Sequence, residues 1–207
     1  MLNKIRDYLD FAGLQYRNPD KAGAEREKML AFRHKGQEAR KAFTELAKAF
    51  QASHPEWQLQ QTSQWMNQAQ RLRPHFWVYL QREGKVTEPM LALRLYGNPS
   101  DFGISLEISF IERKKDEQTL GKQVKVLEIP TVEGIYYLVY SDDQSQRWDA
   151  NEENRQILRN KLSNQEVRKV LVKADVSFIE NQSLEVILEK LENAYERLLP
   201  YYQATRG

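Results

Sequence analysis

The sequence predicts an α+β protein with a mainly antiparallel five-stranded sheet, packed by helices, and a long N-terminal helical arm. Two observations favour this fold class. Residues 75–111 contain three runs of alternating apolar and other side chains with turn residues between them, and helical apolar spacing occurs at both ends of the chain. Grouped strands flanked by helices, rather than strict strand and helix alternation, are typical of an α+β domain.

The first 55 residues carry two helical patterns. Residues 2–16 place apolar side chains at helical spacing, and Asn18-Pro19 ends this pattern. A second helix is predicted over residues 20–53, with Asp20 as its cap, and at 1.5 Å per residue it would be about 50 Å long. We therefore predict a helical arm over residues 1–55 and a sheet domain over residues 56–207, joined as one continuous structural unit.

An apolar stripe follows the second predicted helix at alternating spacings of three and four residues. Its members are Met29, Phe32, Gly36, Ala39, Phe43, Leu46 and Phe50. A stripe of this kind packs on the domain's own core, or it forms a seam against a helix of a second copy or a partner protein. The sequence leaves both interpretations open.

Five strands are predicted, over residues 75–81, 90–96, 104–111, 135–140 and 170–178. Because successive side chains of a strand point to opposite faces, these runs build one apolar face and one mixed face. We expect helices to cover the apolar face, which carries Phe76, Leu93 and Leu106.

The remaining segments are predicted to be a connector and three helices. The glutamine-rich residues 56–73 form the connector. One helix covers residues 114–127, and a second begins at Asn151, which can cap it. The last begins at Ser183 and ends at Pro200, since proline breaks a helix interior.

The composition narrows the functional classes. The 207 residues have a formal net charge of +2 and contain no cysteine. The missing cysteines exclude disulfides and thiolate metal sites, and the small net charge gives no general attraction to nucleic acids or membranes. No apolar run approaches the ~20 residues of a membrane span, and no apolar signal segment starts the chain. We therefore expect a cytoplasmic protein with no membrane partner.

Signatures of catalysis or cofactor binding are few. The three histidines, His34, His54 and His75, do not have the spacing that places two metal ligands on one helix face. No glycine-rich phosphate loop and no GxSxG motif is present. We expect neither a cofactor nor a resident metal.

One pattern favours an enzyme as a second alternative. Asp101 and Glu112-Arg113-Lys114 resemble the Asp and (Asp/Glu)-x-Lys signature of restriction-type metal-dependent nucleases. The two carboxylates must converge on one cation. An extended strand between them would hold them about 35 Å apart, at ~3.3 Å per residue, which argues against a shared ion.

The mixed face of the predicted sheet is the best candidate for a binding surface. Aromatic rings offer stacking platforms for bases, and arginines bind phosphates. In the alternative interpretation, these aromatic rings are buried beneath the N-terminal helix or the 56–73 connector. We predict a non-catalytic module that binds nucleic acid through six residues: Arg71, Arg73, Trp77, Tyr79, Arg94 and Tyr96. Association through the 29–50 stripe is the alternative function.

The order of elements resembles the DNA-binding N-terminal domains of modification-dependent restriction systems. N-terminal helices precede a tryptophan-bearing strand at Trp77 to Leu80. A glycine-led apolar strand follows at Gly103 to Phe110, and a helix rich in leucine and tyrosine closes the chain at Leu188 to Tyr202. The resemblance implies an affinity for DNA and assigns no functional residue.

Overall fold

The computed structural model describes residues 1–84, 87–110, 117–141, 144–179 and 182–206, with the backbone alone for residues 117 and 118. Within these ranges the protein is α+β with an antiparallel sheet, as predicted. The helices are α1 (Leu2–Leu9), α2 (Arg26–Ala52), α3 (Glu117–Val124), α4 (Glu152–Ser163) and α5 (Leu184–Arg206). The strands are β1 (Gln58–Leu59), β2 (Trp77–Gln81), β3 (Met90–Asn98), β4 (Asp101–Ser109), β5 (Tyr136–Ser141), β6 (Gln144–Asp149) and β7 (Lys169–Ser177).

The strands form one sheet in the order β1-β2-β3-β4-β7-β5-β6, and every neighbouring pair is antiparallel. The predicted number of five strands is wrong, because β1 and β6 were missed. Both lie at edges of the sheet. The first has only two residues, and the second is mostly polar and exposed, so neither shows the apolar alternation that marks a strand in sequence.

One face of the sheet carries the apolar core. Phe76, Leu93 and Leu106 are fully buried there, as expected. Helices α1, α2, α4 and α5 all contribute side chains to this core, and the ring of Phe43 on α2 lies 5.9 Å from the ring of Phe76. We call this side the core face and the opposite side the open face.

The N-terminal helices are shorter than predicted. Helix α1 ends at Leu9, and α2 begins at Arg26 rather than residue 20, so its 27 residues span about 40 Å. Short 3-10 turns at Pro19–Lys21 and Gly23–Glu25 precede it. The side chain of Asn18 accepts the Asp20 amide and caps the first of these turns, whereas α2 has no side-chain cap, so the predicted capping role of Asp20 is wrong. Glycine at position 23, with φ of +54°, does not continue an α-helix.

The apolar stripe of α2 packs inside the same chain. All seven of its residues are buried, and Gly36 lets the indole of Trp65 lie directly against the helix backbone. In the structure the stripe therefore packs on the protein's own core, which is the first of the two interpretations. An intermolecular seam would require α2 to separate from this core.

The last helix continues past Pro200, where it was predicted to end. The proline removes one backbone hydrogen bond, at a cost of about 3 kcal/mol or more in a helix interior. The following residues Tyr201, Tyr202 and Thr205 are buried, and Tyr201 donates a hydrogen bond to the Pro130 carbonyl at 2.8 Å. Burial of these side chains offsets the lost bond.

Two strands and the caps of two helices agree closely with the predictions, whereas β4 begins at Asp101, three residues before its predicted start. Strands β5 and β7 each lie within one residue of their predicted limits. The side chain of Asn151 accepts the Asn154 amide at 2.8 Å, and Ser183 accepts the Val186 amide at 3.3 Å. None of the helices in the described ranges is long and apolar enough to cross a membrane.

Candidate ligand pocket on the open sheet face

Cross-strand pairing determines which side chains meet on the open face. Trp77 of β2 lies opposite Arg94 of β3, and Arg94 lies opposite Ser105 of β4. In the next row, Glu107 of β4 lies opposite Lys173 of β7. Directly opposed residues point to the same face of a sheet. The open face therefore brings aromatic rings, cations and a carboxylate together over several adjacent strands.

These side chains surround a pocket of about 390 Å³. Its floor is the sheet itself, and its volume lies in the lower part of the roughly 300–1,000 Å³ range of small-ligand sites. The lining residues are His75, Trp77, Tyr79, Arg94, Glu107, Ser109, Leu138, Tyr140, Lys169, Leu171 and Lys173. We call this the open-face pocket.

The floor of the pocket contains a three-residue ionic network. Arg94 donates to Oε1 of Glu107 through Nη2 at 3.0 Å and Nε at 3.3 Å, while Nζ of Lys173 lies 3.0 Å from Oε2. Burial alone raises the pKa of Glu107, but the charges of Lys173 and Arg94 outweigh it and hold that pKa below its usual range. The carboxylate is therefore ionised at neutral pH, and two cations surround it.

His75 stands at the β2 side of the pocket, with its ring 5.7 Å from that of Trp77. Burial lowers the pKa of His75 to about 4, and the positive charges of Arg94, Arg73 and Lys173 add to this effect. The imidazole is therefore neutral at pH 7, when it offers one hydrogen-bond donor and one acceptor.

Cations lie against the aromatic rings at the sides of the pocket. The guanidinium carbons of Arg73 and Arg94 lie 4.6 and 5.5 Å from the Trp77 ring centroid. On the other side, Nζ of Lys169 is 5.0 Å from the Tyr140 ring. Such cation–π contacts, at these distances, orient both partners. The rings and charges are thus held in place before any ligand arrives.

A second polar cluster flanks the pocket on the β6 side. Arg147 donates to Oδ2 of Asp175 at 2.7 Å, and the Tyr136 hydroxyl donates to Oδ1 at 3.0 Å. The Arg147 guanidinium also stacks 3.6 Å from the Tyr136 ring centroid. This cluster joins β5, β6 and β7 and supports the wall of the pocket.

The structure places the six predicted binding residues in three locations. Trp77, Tyr79 and Arg94 line the pocket, and Arg73 stacks on Trp77 at its edge. Tyr96 lies on the open face but over Gly103, with its hydroxyl 3.2 Å from Ser177 Oγ, and it does not line the pocket. Arg71 also lies outside the lining, where Nη1 donates to the Gly13 carbonyl at 3.2 Å.

Eight of the eleven described lining residues are absent from the predicted binding set: His75, Glu107, Ser109, Leu138, Tyr140, Lys169, Leu171 and Lys173. Strand alternation was the sequence pattern that could have identified them. It places His75 on the same side as Trp77, and both lysines on the non-apolar side of β7. The missing information was the position of β7, which lies next to β4 although it comes last in the sequence.

The described residues form no metal site at the nuclease-like pattern of Asp101 and Glu112-Arg113-Lys114. Asp101 opens β4 in the exposed turn after β3, while Glu112, Arg113 and Lys114 lie outside the described ranges. Within those ranges no group of three or more histidine, aspartate or glutamate side chains could hold a metal ion.

Two comparisons with known proteins were negative. No protein-family model matches the sequence, and no curated protein matches it. The chemistry of the open-face pocket is therefore the basis for a functional conclusion.

Proposed function

We propose that this protein is a nucleic-acid-binding module and that unpaired nucleotides bind at the open-face pocket. One observation carries the proposal: aromatic rings and cationic side chains meet around a concave site on the sheet face that the helical core leaves accessible. Cations attract the phosphate backbone, and aromatic rings stack on bases at about 1–3 kcal/mol per base.

The burial of the charged groups favours single strands over duplexes. Lys173 and Glu107 are 6% and 1% exposed, so a ligand must enter the pocket to contact them. In a double helix the bases are stacked and paired inside the molecule, whereas a single strand presents them to a protein. A duplex would meet only the outer edge of the site, at Arg73 and the partly exposed rings.

Fluorescence anisotropy with labelled single- and double-stranded oligonucleotides tests the proposal. We expect single strands to bind more tightly than duplexes. If two or three phosphates are neutralised, a rise from 50 to 200 mM salt should weaken single-strand binding roughly tenfold, with a slope of about −0.7 per phosphate. Absence of binding to any oligonucleotide at low salt would overturn the proposal.

A matched pair of variants locates the binding surface. Arg73 stacks on Trp77 beside the pocket, whereas Arg71 bonds the Gly13 carbonyl outside the lining. We expect Arg73→Gln to weaken single-strand binding several-fold and to reduce the salt slope, with little effect from Arg71→Gln. Equal effects of the two substitutions would place the binding surface elsewhere.

Each of the two alternative functions can be tested by a separate experiment. Association through the 29–50 stripe predicts a dimer by light scattering, and a concentration-independent monomer would count against it. The nuclease hypothesis predicts metal-dependent cleavage of DNA that is lost in Lys114→Ala. The open-face pocket favours neither alternative.

A further inference from the structure

We infer that the open-face pocket binds the phosphorylated end of a nucleic-acid strand, and this inference rests on the proposed function. The bound group would be a terminal phosphomonoester next to an aromatic base. This assignment goes beyond affinity for single strands. It depends on the closed floor of the pocket, the charges at that floor, and the rings above it.

The floor of the pocket is closed by the sheet, and its cations lie deep. Lys169 is 5% exposed and Lys173 is 6% exposed, so a phosphate must reach the bottom of the pocket to contact them. An internal phosphodiester continues into the chain on both sides, and both continuations would have to bend into the same small volume of about 390 Å³. A terminal phosphate is joined to the nucleic-acid chain on one side only, so a single continuation must leave the pocket.

The charge of the floor matches a compact anion. Among the described lining residues, Arg94, Lys169 and Lys173 are cationic and Glu107 is the acid. A phosphomonoester carries a charge of about −1.5 to −2 at pH 7, against −1 for an internal diester. Glu107 is shared between Arg94 and Lys173, so each of them keeps hydrogen-bond donors that can turn toward a phosphate oxygen.

The aromatic rings above the floor could contact the nucleoside that carries the phosphate. Tyr79 and Tyr140 line opposite sides of the pocket, on β2 and β5. Trp77 is already stacked by the guanidinium groups of Arg73 and Arg94. A base joined to the phosphate would lie against these lining rings at the opening of the pocket.

Strand ends provide the direct test on the unaltered protein. One labelled ten-nucleotide single strand is prepared with a 5′-phosphate, with a 3′-phosphate and with hydroxyls at both ends, and binding is measured by anisotropy. We expect at least a tenfold preference for one phosphorylated form over the hydroxyl form. Unlabelled adenosine monophosphate should compete, adenosine should not, and inorganic phosphate should compete weakly.

Two variants connect the preference to the pocket. Lys169→Gln should remove most of the preference for the phosphorylated end, whereas Lys161→Gln on α4, which lies outside the lining, should leave it unchanged. Lys161 pairs with Glu166 on the surface at 2.7 Å and so serves as a matched control. Circular dichroism confirms that each variant is folded. A preference that survives Lys169→Gln at full size would overturn the assignment.

The outcomes separate this inference from the proposed function. Equal binding of phosphorylated and hydroxyl strands, weakened in both by Arg73→Gln, would overturn the terminal-phosphate assignment and support the nucleic-acid proposal. Binding of adenosine monophosphate without binding of any strand would support the phosphomonoester chemistry and overturn the nucleic-acid proposal. Absence of binding by every probe would overturn both.

Discussion

Glu107 and Lys173 face each other across β4 and β7, with their charged atoms 3.0 Å apart in the middle of the sheet. The side chain of Glu107 is 2% exposed and that of Lys173 is 8% exposed, and Arg94 binds the other carboxylate oxygen. The pair joins two strands that lie far apart in sequence. It also sets the charge of the open-face pocket, since it determines how much of the cationic floor is neutralised.

Replacement of Glu107 by glutamine should therefore destabilise the fold. It leaves the buried Lys173 and Arg94 without their carboxylate, and breaking a buried ion pair costs about 3–5 kcal/mol. Urea denaturation followed by circular dichroism measures the free energy of unfolding. A change below about 1 kcal/mol would contradict the view that this network stabilises the sheet.

Two further variants serve as controls for that measurement. The double variant Glu107→Gln with Lys173→Met removes a second member of the network, so it should cost less than the sum of the two single substitutions. Lys28 and Glu25 form an exposed pair at 3.1 Å, and Lys28→Gln should change stability by less than about 1 kcal/mol.

Two helical glycines should respond to alanine in opposite directions. A methyl group on Gly36 would lie 2.6 Å from the Trp65 ring, and Trp65 is itself buried. Overpacking costs about 1–3 kcal/mol, which exceeds the ~1 kcal/mol that alanine gains in helix propensity. Gly121 in α3 has no neighbouring atom within 4 Å of such a methyl group.

We expect Gly36→Ala to lower the free energy of unfolding by about 1 kcal/mol and Gly121→Ala to raise it by about 0.5–1 kcal/mol. Thermal and urea denaturation of both variants measure these changes. Stabilisation by Gly36→Ala would show that Trp65 moves away without cost and would remove the reason for a glycine at this position.

His75 should make stability depend on pH in the weakly acidic range. Its pKa is about 4 in the folded protein and about 6.5 in an unfolded chain. As pH falls from 7 toward 4, the unfolded state binds a proton that the folded state does not bind, so the folded state loses stability. The groups that perturb it are Arg94, Arg73, Lys173 and Glu107.

The expected loss between pH 7 and pH 5 is on the order of 1 kcal/mol, since His75 is partly exposed and solvent reduces the effect. His75→Gln should remove this part of the pH dependence. Urea denaturation at the two pH values compares the variant with the original protein. An identical pH dependence of both proteins would contradict the lowered pKa.

Sequence periodicity predicted local structure well where burial is one-sided. The alternation around Phe76, Leu93 and Leu106 identified the first long strands and the face that helices cover. It failed at β6, because an exposed polar edge strand has no apolar face to reveal it. It also failed at Pro200, because buried tyrosines farther along the helix offset the cost of the proline, and local propensity contains no such information.

The candidate site was predicted in part for the same reason. Trp77, Tyr79 and Arg94 belong to adjacent hairpin strands, so alternation and short turns suffice to place them together. Alternation also placed Tyr96 on the open face, but its hydroxyl contacts Ser177 outside the pocket. Arg71 was assigned to this surface by its nearness in sequence, and in the fold it bonds the Gly13 carbonyl. Lys169 and Lys173 could not be assigned, because nothing local indicates that β7 pairs with β4.

The sequence by itself determined the α+β class, the core face of the sheet and the chemical character of the opposite face, because each follows from the spacing of side chains along single elements. Only the tertiary structure decided that β7 inserts between β4 and β5, and that this insertion brings Lys173 to Glu107 and closes the floor of the pocket. Pairing between distant strands depends on the packing of the whole sheet, and that packing is a property of no single segment.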